Sequence, residues 1–236
     1  MRATIHQPDF MPWFGFFNKI AKVDTWILLD HVKNNPRDSA FWGRRVGVLV
    51  NSQPTWLSIT LRRPRISGVI GIPICEMSIN LDERKSLERS LRMIQIAYAK
   101  APNYSRHIPL IEEYFMASES SLVVRNMRFI RAVMALLDVR TTIVESSSLG
   151  IETGGTRLLV DLLRAINAST YLCGGGASGY QEDEMFAANT ICLEYNRFEH
   201  PVYPQLRSKH FVPGLSIIDA LFNVSTDQLS EWVHGA

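Results

Sequence analysis

The apolar positions of this chain fall into short runs whose period changes along its length. Ala3-Thr4-Ile5 reads as a brief strand that delivers His6 and Gln7 into a loop. Pro8 and Pro12 stiffen that loop, because each proline fixes φ and removes a backbone donor. An aromatic helix through Phe14, Phe16, Phe17 and Ile20 follows, and Thr25 to Leu29 is a second apolar strand that ends on Asp30. In open α/β sheets ligands sit outside the carboxyl ends of such strands, so His6, Gln7 and Asp30 are expected at one functional edge.

Beyond Asp30 a polar loop covers 31–39. Arg45–Val50 and Thr55–Leu61 then form a hairpin across Asn51-Ser52-Gln53-Pro54. Ile72, Ile74, Met77 and Ile79 predict a further strand within 71–79. Asp82 is placed to cap a long helix, with Leu87, Leu91, Ile94 and Tyr98 at helical spacing and Pro102 closing it. Helices are expected at 108–117 and 121–137. Strand–helix alternation then resumes: a strand at 141–145, a helix at 156–167 and a strand at 170–173. A glycine-rich run at 174–180, a helix at 181–188 and a strand at 191–195 come next, then helices at 216–222 and 226–233. The pattern gives an α/β fold: one mostly parallel or mixed sheet with flanking helices. It is read as a single domain over 1–236 with a helical insertion at about 82–138.

Composition narrows the function classes. Apolar residues make up 46% of the 236 and charged residues 20%, with a formal net charge of +2. That balance argues against a nucleic-acid protein, whose affinity comes from concentrated basic surface. Cys75, Cys173 and Cys192 are odd in number and widely spaced, which gives neither a disulfide framework nor a zinc knuckle. No histidine–carboxylate spacing suggests a metal site. No apolar stretch approaches the ~20 residues of a membrane span, and no secretory signal pattern opens the chain, so a soluble cytoplasmic protein is expected.

Three groups of residues carry candidate chemistry. His6 is a candidate general base, with Asp30 fixing its tautomer and Gln7 offering both a donor and an acceptor. The alternative is a strand-end histidine bonded to a backbone carbonyl. Gly174 and Gly175, with Tyr180, follow a strand and precede a helix, which suits close approach of backbone to an anionic ligand or a tight structural turn. The neighbouring Cys173 reads as packed and inert rather than nucleophilic. His200-Pro201-Val202-Tyr203-Pro204-Gln205 is a proline-stiffened strip that fits either a binding wall or a surface loop anchored by Tyr203.

The chain resembles the WbqC-like family of bacterial polysaccharide gene clusters. The likeness is carried by Ile5-His6-Gln7-Pro8, Pro12-Trp13, Gly15, Phe17 and Lys19-Ile20, then by Arg45, Trp56-Leu57, Ser146-Ser147, Tyr171-Leu172, Gly174 and Tyr180, and finally by His200-Pro201, Tyr203, Gln205 and Ser216 to Asp219. His31, Lys33, Gly43 and Arg44 depart from the family's usual residues. The resemblance implies surface-glycan synthesis and, as one proposed activity, glycine transfer to an amino sugar.

On that basis the chain is expected to be an acyl- or aminoacyltransferase acting on a nucleotide-linked amino sugar. His6 would be the base with Asp30 behind it, and His200 the second choice. Arg45 and Lys33 would hold diphosphate. Gln7 or amides near Gly175 would meet the oxyanion, and Trp13, Tyr180 and Tyr203 would wall the ligand, with Gln205 on the same strip. No resident cofactor is evident; an activated acyl or aminoacyl donor is implied, free or on an acyl-carrier partner. A nucleotidyl-transfer-like enzyme is the alternative, weakened by the lack of a second histidine after His6, and a non-catalytic binder of glycan precursors is a third reading.

Overall fold

The computed structural model describes residues 1–63, 71–175 and 181–235. Its centre is a five-stranded, all-parallel sheet. The strands are β1 (Arg2–His6), β2 (Thr25–Leu28), β7 (Thr142–Glu145), β8 (Thr170–Gly174) and β9 (Cys192–Asn196). They lie in the order β7-β2-β1-β8-β9. β1 pairs with β2 from Ala3↔Thr25 to His6↔Leu28, and with β8 at Ala3↔Tyr171. The central strands β1, β2 and β8 are buried on both faces, as a parallel sheet covered on both sides requires.

The sheet separates two cores, and β2 alternates between them. Trp26 and Leu28 face the larger one, and Ala3, Ile5, Ile27, Tyr171 and Cys173 face the smaller. On the larger side pack α1 (Phe14–Ala21), α2 (Arg84–Tyr98), α3 (Tyr104–Met116), α4 (Leu122–Leu136), α7 (Ile217–Asn223) and α8 (Thr226–His234). α5 (Gly155–Ala165) and α6 (Asp183–Ala188) cover the smaller side. The chain runs outward through β1, β2 and β7, then returns to the other side of β1 with β8 and β9. The loops after β1 and β8 therefore lead to helices on opposite faces. That divergence opens a crevice between their carboxyl ends, the topological switch point of a doubly wound sheet.

The helices expected as an insertion are α2, α3 and α4, and they share the larger core with α1 and α7. The hairpin expected between 45 and 61 is present as β4 (Arg45–Val50) and β5 (Gln53–Ser58), antiparallel from Arg45↔Ser58 to Val50↔Gln53. The strand expected within 71–79 is not. β6 (Ile72–Pro73) is the one strand there, paired with β3 (Lys33–Asn34) before a 3₁₀ turn at Ile74–Glu76, and Ser78 and Ile79 make only isolated bridges, to Ser121 and Leu61. The apolar residues of that segment anchor a turn into the core: Ile74, Met77 and Ile79 are all buried. The cap expected at Asp82 belongs to Asn80, whose side chain accepts from the Asp82 amide and starts a 3₁₀ turn ahead of α2. α3 begins at Tyr104, earlier than the expected 108, and carries Pro109 inside it. One missing backbone bond is tolerated there because His107, Ile108 and Ile111 are buried around it.

Candidate functional site

A cleft of about 650 Å³ lies at the switch point. His6 and Gln7 reach it from the end of β1, Asp9 and Trp13 from the loop that follows, Trp42 and Arg45 from the approach to β4, and Tyr171 from β8. The opening loop and Arg45 thus line one cleft.

The loop from Pro8 to Trp13 is held rigidly. Asn126 of α4, fully buried, donates through Nδ2 to Pro8 O at 2.8 Å and to Gly43 O at 2.9 Å, and accepts from Tyr114 Oη at 2.7 Å. One side chain therefore ties the two walls of the cleft together. The Phe10 amide donates to Trp42 O at 2.9 Å, Ser216 Oγ to Met11 O at 2.7 Å and the Ile217 amide to Pro12 O at 2.8 Å. Met11 takes a left-handed φ of 42°, a conformation such fixed neighbours can impose.

His6 packs edge-on against Phe16, ring centroids 4.9 Å apart. Its Nδ1 lies 3.0 Å from Gln7 O. A carbonyl only accepts, so Nδ1 carries the hydrogen; Nε2 has no hydrogen-bond partner among the described residues. Asp9 Oδ2 stands 3.7 Å from the same Nδ1. Burial and then the charge of Lys19 push the imidazole down to about 3, so His6 is neutral near pH 7. Burial pushes the Asp9 carboxyl up to about 7 against the pull of Lys19. Lys19, buried on α1, is lowered to about 8 by burial, with Asp9 opposing. Asp9 and Lys19 were not singled out from the sequence as site residues. The signal was a lysine inside an otherwise aromatic helix, and a carboxylate three residues after His6.

Arg45 places its guanidinium 3.7 Å from the centroid of the Trp56 ring and donates through Nη1 to Ser39 O at 2.6 Å. The carboxamide of Gln7 makes no hydrogen bond to another described residue, so both its donor and its acceptor are free for a ligand.

Other predicted residues lie elsewhere. Asp30 does not orient His6. Its carboxylate accepts from Ser146 Oγ at 3.0 Å, the Ser147 amide at 2.9 Å and Ser147 Oγ at 2.7 Å, which latches the end of β2 to the turn after β7. Lys33 is exposed on β3 and does not line the cleft. Gly174 ends β8 opposite Asn196, and Gly175 is exposed beyond it; neither lines the cleft. Tyr180 lies outside the described residues. In the strip from His200 to Gln205, Tyr203 and Gln205 are buried in the interior, Val202 and Pro204 are exposed, and none of the strip lines the cleft. Tyr203 Oη and Gln205 Nε2 both donate to Asp219 Oδ2 at 2.9 Å, and Tyr98 Oη donates to Oδ1 at 2.9 Å. His200 packs at tilted and edge-on angles among Phe14, Phe198, Phe211 and Trp13, with Nδ1 3.0 Å from Pro201 O, and burial lowers its pKa.

A family model described as the WbqC-like protein family matches residues 7–231. This chain belongs to that family. Distant segments of the matched region interlock in space: the strip at 200–205 and the segment 216–219 meet at Asp219, and Ser216 bonds Met11 near the N-terminus. Among its relatives is an uncharacterized protein of Mycobacterium tuberculosis (strain ATCC 25618 / H37Rv), 24% identical over 228 residues, which covers 96% of this chain and 95% of that protein. No solved structure matches the chain. Among the described residues no helix is long and apolar enough to cross a membrane, and no group of three His, Cys, Asp or Glu side chains is placed to hold a metal ion.

Proposed function

We propose that this WbqC-like chain is a transferase that moves an acyl or aminoacyl group, glycine being the simplest, onto the amine of a nucleotide-linked amino sugar in cytoplasmic synthesis of surface polysaccharide. The observation that carries this reading is one cleft, at the switch point of a parallel sheet, that combines a carboxyl titrating near 7, a neutral imidazole and an arginine. The sequence alone favours His6 as base. A group depressed to about 3 is a poor proton acceptor, whereas Asp9 is matched to neutral pH, so we give Asp9 that role.

In this scheme the sugar ammonium passes a proton to the Asp9 carboxylate. The freed amine then attacks the acyl carbon of a thioester or ester donor. A C–N bond forms, the bond from acyl carbon to leaving group breaks, and Asp9 passes its proton to the departing sulfur or oxygen; the carboxylate so restored takes the second proton that the nitrogen sheds as the amide forms, and releases it to water. The unspent Gln7 amide would donate to the oxyanion, and the bare Nε2 of neutral His6 would accept from a sugar hydroxyl. Arg45 would bind the diphosphate.

Mass spectrometry of UDP- and dTDP-linked amino sugars, incubated with the protein and a panel of acyl and aminoacyl donors, tests this. A mass gain on the sugar is expected. Sugar binding without a gain under any donor would make the chain a binding module instead. The doubly wound strand order also suits a nucleotidyltransferase, and release of pyrophosphate from a nucleoside triphosphate with Mg²⁺ would favour that second reading.

A further inference from the structure

We propose that Trp42 and Trp56, with Arg45 packed beside them, form a stacking subsite for the nucleobase, so that the sugar enters the cleft and the nucleotide stays at its mouth. This rests on the reading of the ligand as a nucleotide-linked sugar. Trp42 is 51% exposed and Trp56 54%, a large aromatic surface to leave open to water. Their ring centroids lie 5.7 Å apart with the planes inclined at 55°, so the indoles touch and present one continuous surface. Trp42 also lines the cleft, which makes that surface continuous with it.

The polarity of the site runs in one direction. His6, Gln7 and Asp9, the groups able to read hydroxyls and amines, are at the inner end, and Asp9 is only 8% exposed. Arg45 follows, stacked on Trp56, and the indole faces come last. A nucleotide-linked sugar has the same order: a hydroxyl-rich ring, a diphosphate and a flat base. Arginine pairs with phosphate through its planar fork, and an indole face stacks a base of any identity. The opposite orientation would set a base against Asp9 and leave the sugar hydroxyls over bare indole. The arrangement therefore selects for a nucleotide carrier over a lipid-linked or free sugar.

Calorimetric titration of the full chain with UDP and with a UDP-linked amino sugar tests the orientation. Trp42→Ala and Trp56→Ala should each weaken both ligands by the same factor, about tenfold, with thermal midpoints unchanged. The ratio of the two affinities should therefore stay at its wild-type value. Unchanged UDP affinity in both variants, or a ratio that collapses because only the sugar-bearing ligand weakens, would overturn the subsite while leaving the transferase reading standing. A wild-type chain that binds neither ligand would overturn both.

Discussion

The indole of Trp13 lies over Gly15 so closely that a Cβ on the glycine would sit 2.4 Å from the ring. Trp13 is the last residue before α1, lines the cleft and meets Phe198 edge-on at 5.3 Å. A side chain at 15 must therefore move the indole. Gly15 has no positive φ, so alanine fits the backbone and gains roughly 0.5–1 kcal/mol of helix preference over glycine. The atoms it meets are the far end of a 38%-exposed side chain, which can swing outward. Gly15→Ala should thus leave the thermal midpoint within a few degrees of wild type while weakening binding of a UDP-linked amino sugar. Full affinity in that variant would show that Trp13 does not shape the site.

Asp219 makes the opposite prediction. It is fully buried and takes three side-chain donors, and Tyr98 Oη, one of them, also accepts from the Leu49 amide at 2.9 Å. Removing the carboxylate strands three buried donors, each expensive to leave unpaired. Asp219→Ala should lose about 3–5 kcal/mol in urea denaturation, and Tyr203→Phe about 1 kcal/mol, since it removes one donor and leaves two. The hub is behind the cleft, so ligand affinity in the surviving folded fraction should hold. A loss of affinity with little loss of stability would return the strip from His200 to Gln205 to the site.

These two cases show what local sequence reports. The parallel sheet, the hairpin and most helices were legible, because apolar period and turn residues are local. The partners of polar residues were not. Asp30 reads as a strand-end carboxylate beside His6, but its partners Ser146 and Ser147 are more than a hundred positions away. His200, Tyr203 and Gln205 look alike as a binding wall or a buried clamp until Asp219 arrives from α7. Asp9, set between two prolines, carries no local signal of its role, although its carboxylate stands 3.7 Å from His6.

The group formed by His6, Asp9 and Lys19 predicts an unusual acid response. The folded pKa of His6 is depressed from 6.5 to about 3, so between those values the unfolded chain binds a proton that the folded chain refuses. Stability from this source falls as pH drops from 6.5 toward 3. Asp9 is raised from 3.8 to about 7, so its contribution is fully present below 3.8 and is lost as pH rises through 7. From pH 4 to 6.5 the two slopes oppose one another and nearly cancel. Asp9→Asn deletes one of them. Relative to wild type, the variant should lose about 1.4 kcal/mol per pH unit on acidification across that window. Urea midpoints of both proteins at pH 4.5, 5.5 and 6.5 give the comparison, and other carboxylates drop out of the difference. Parallel profiles would mean that Asp9 titrates as an ordinary surface acid, and the proton-acceptor role assigned to it would fall with that result.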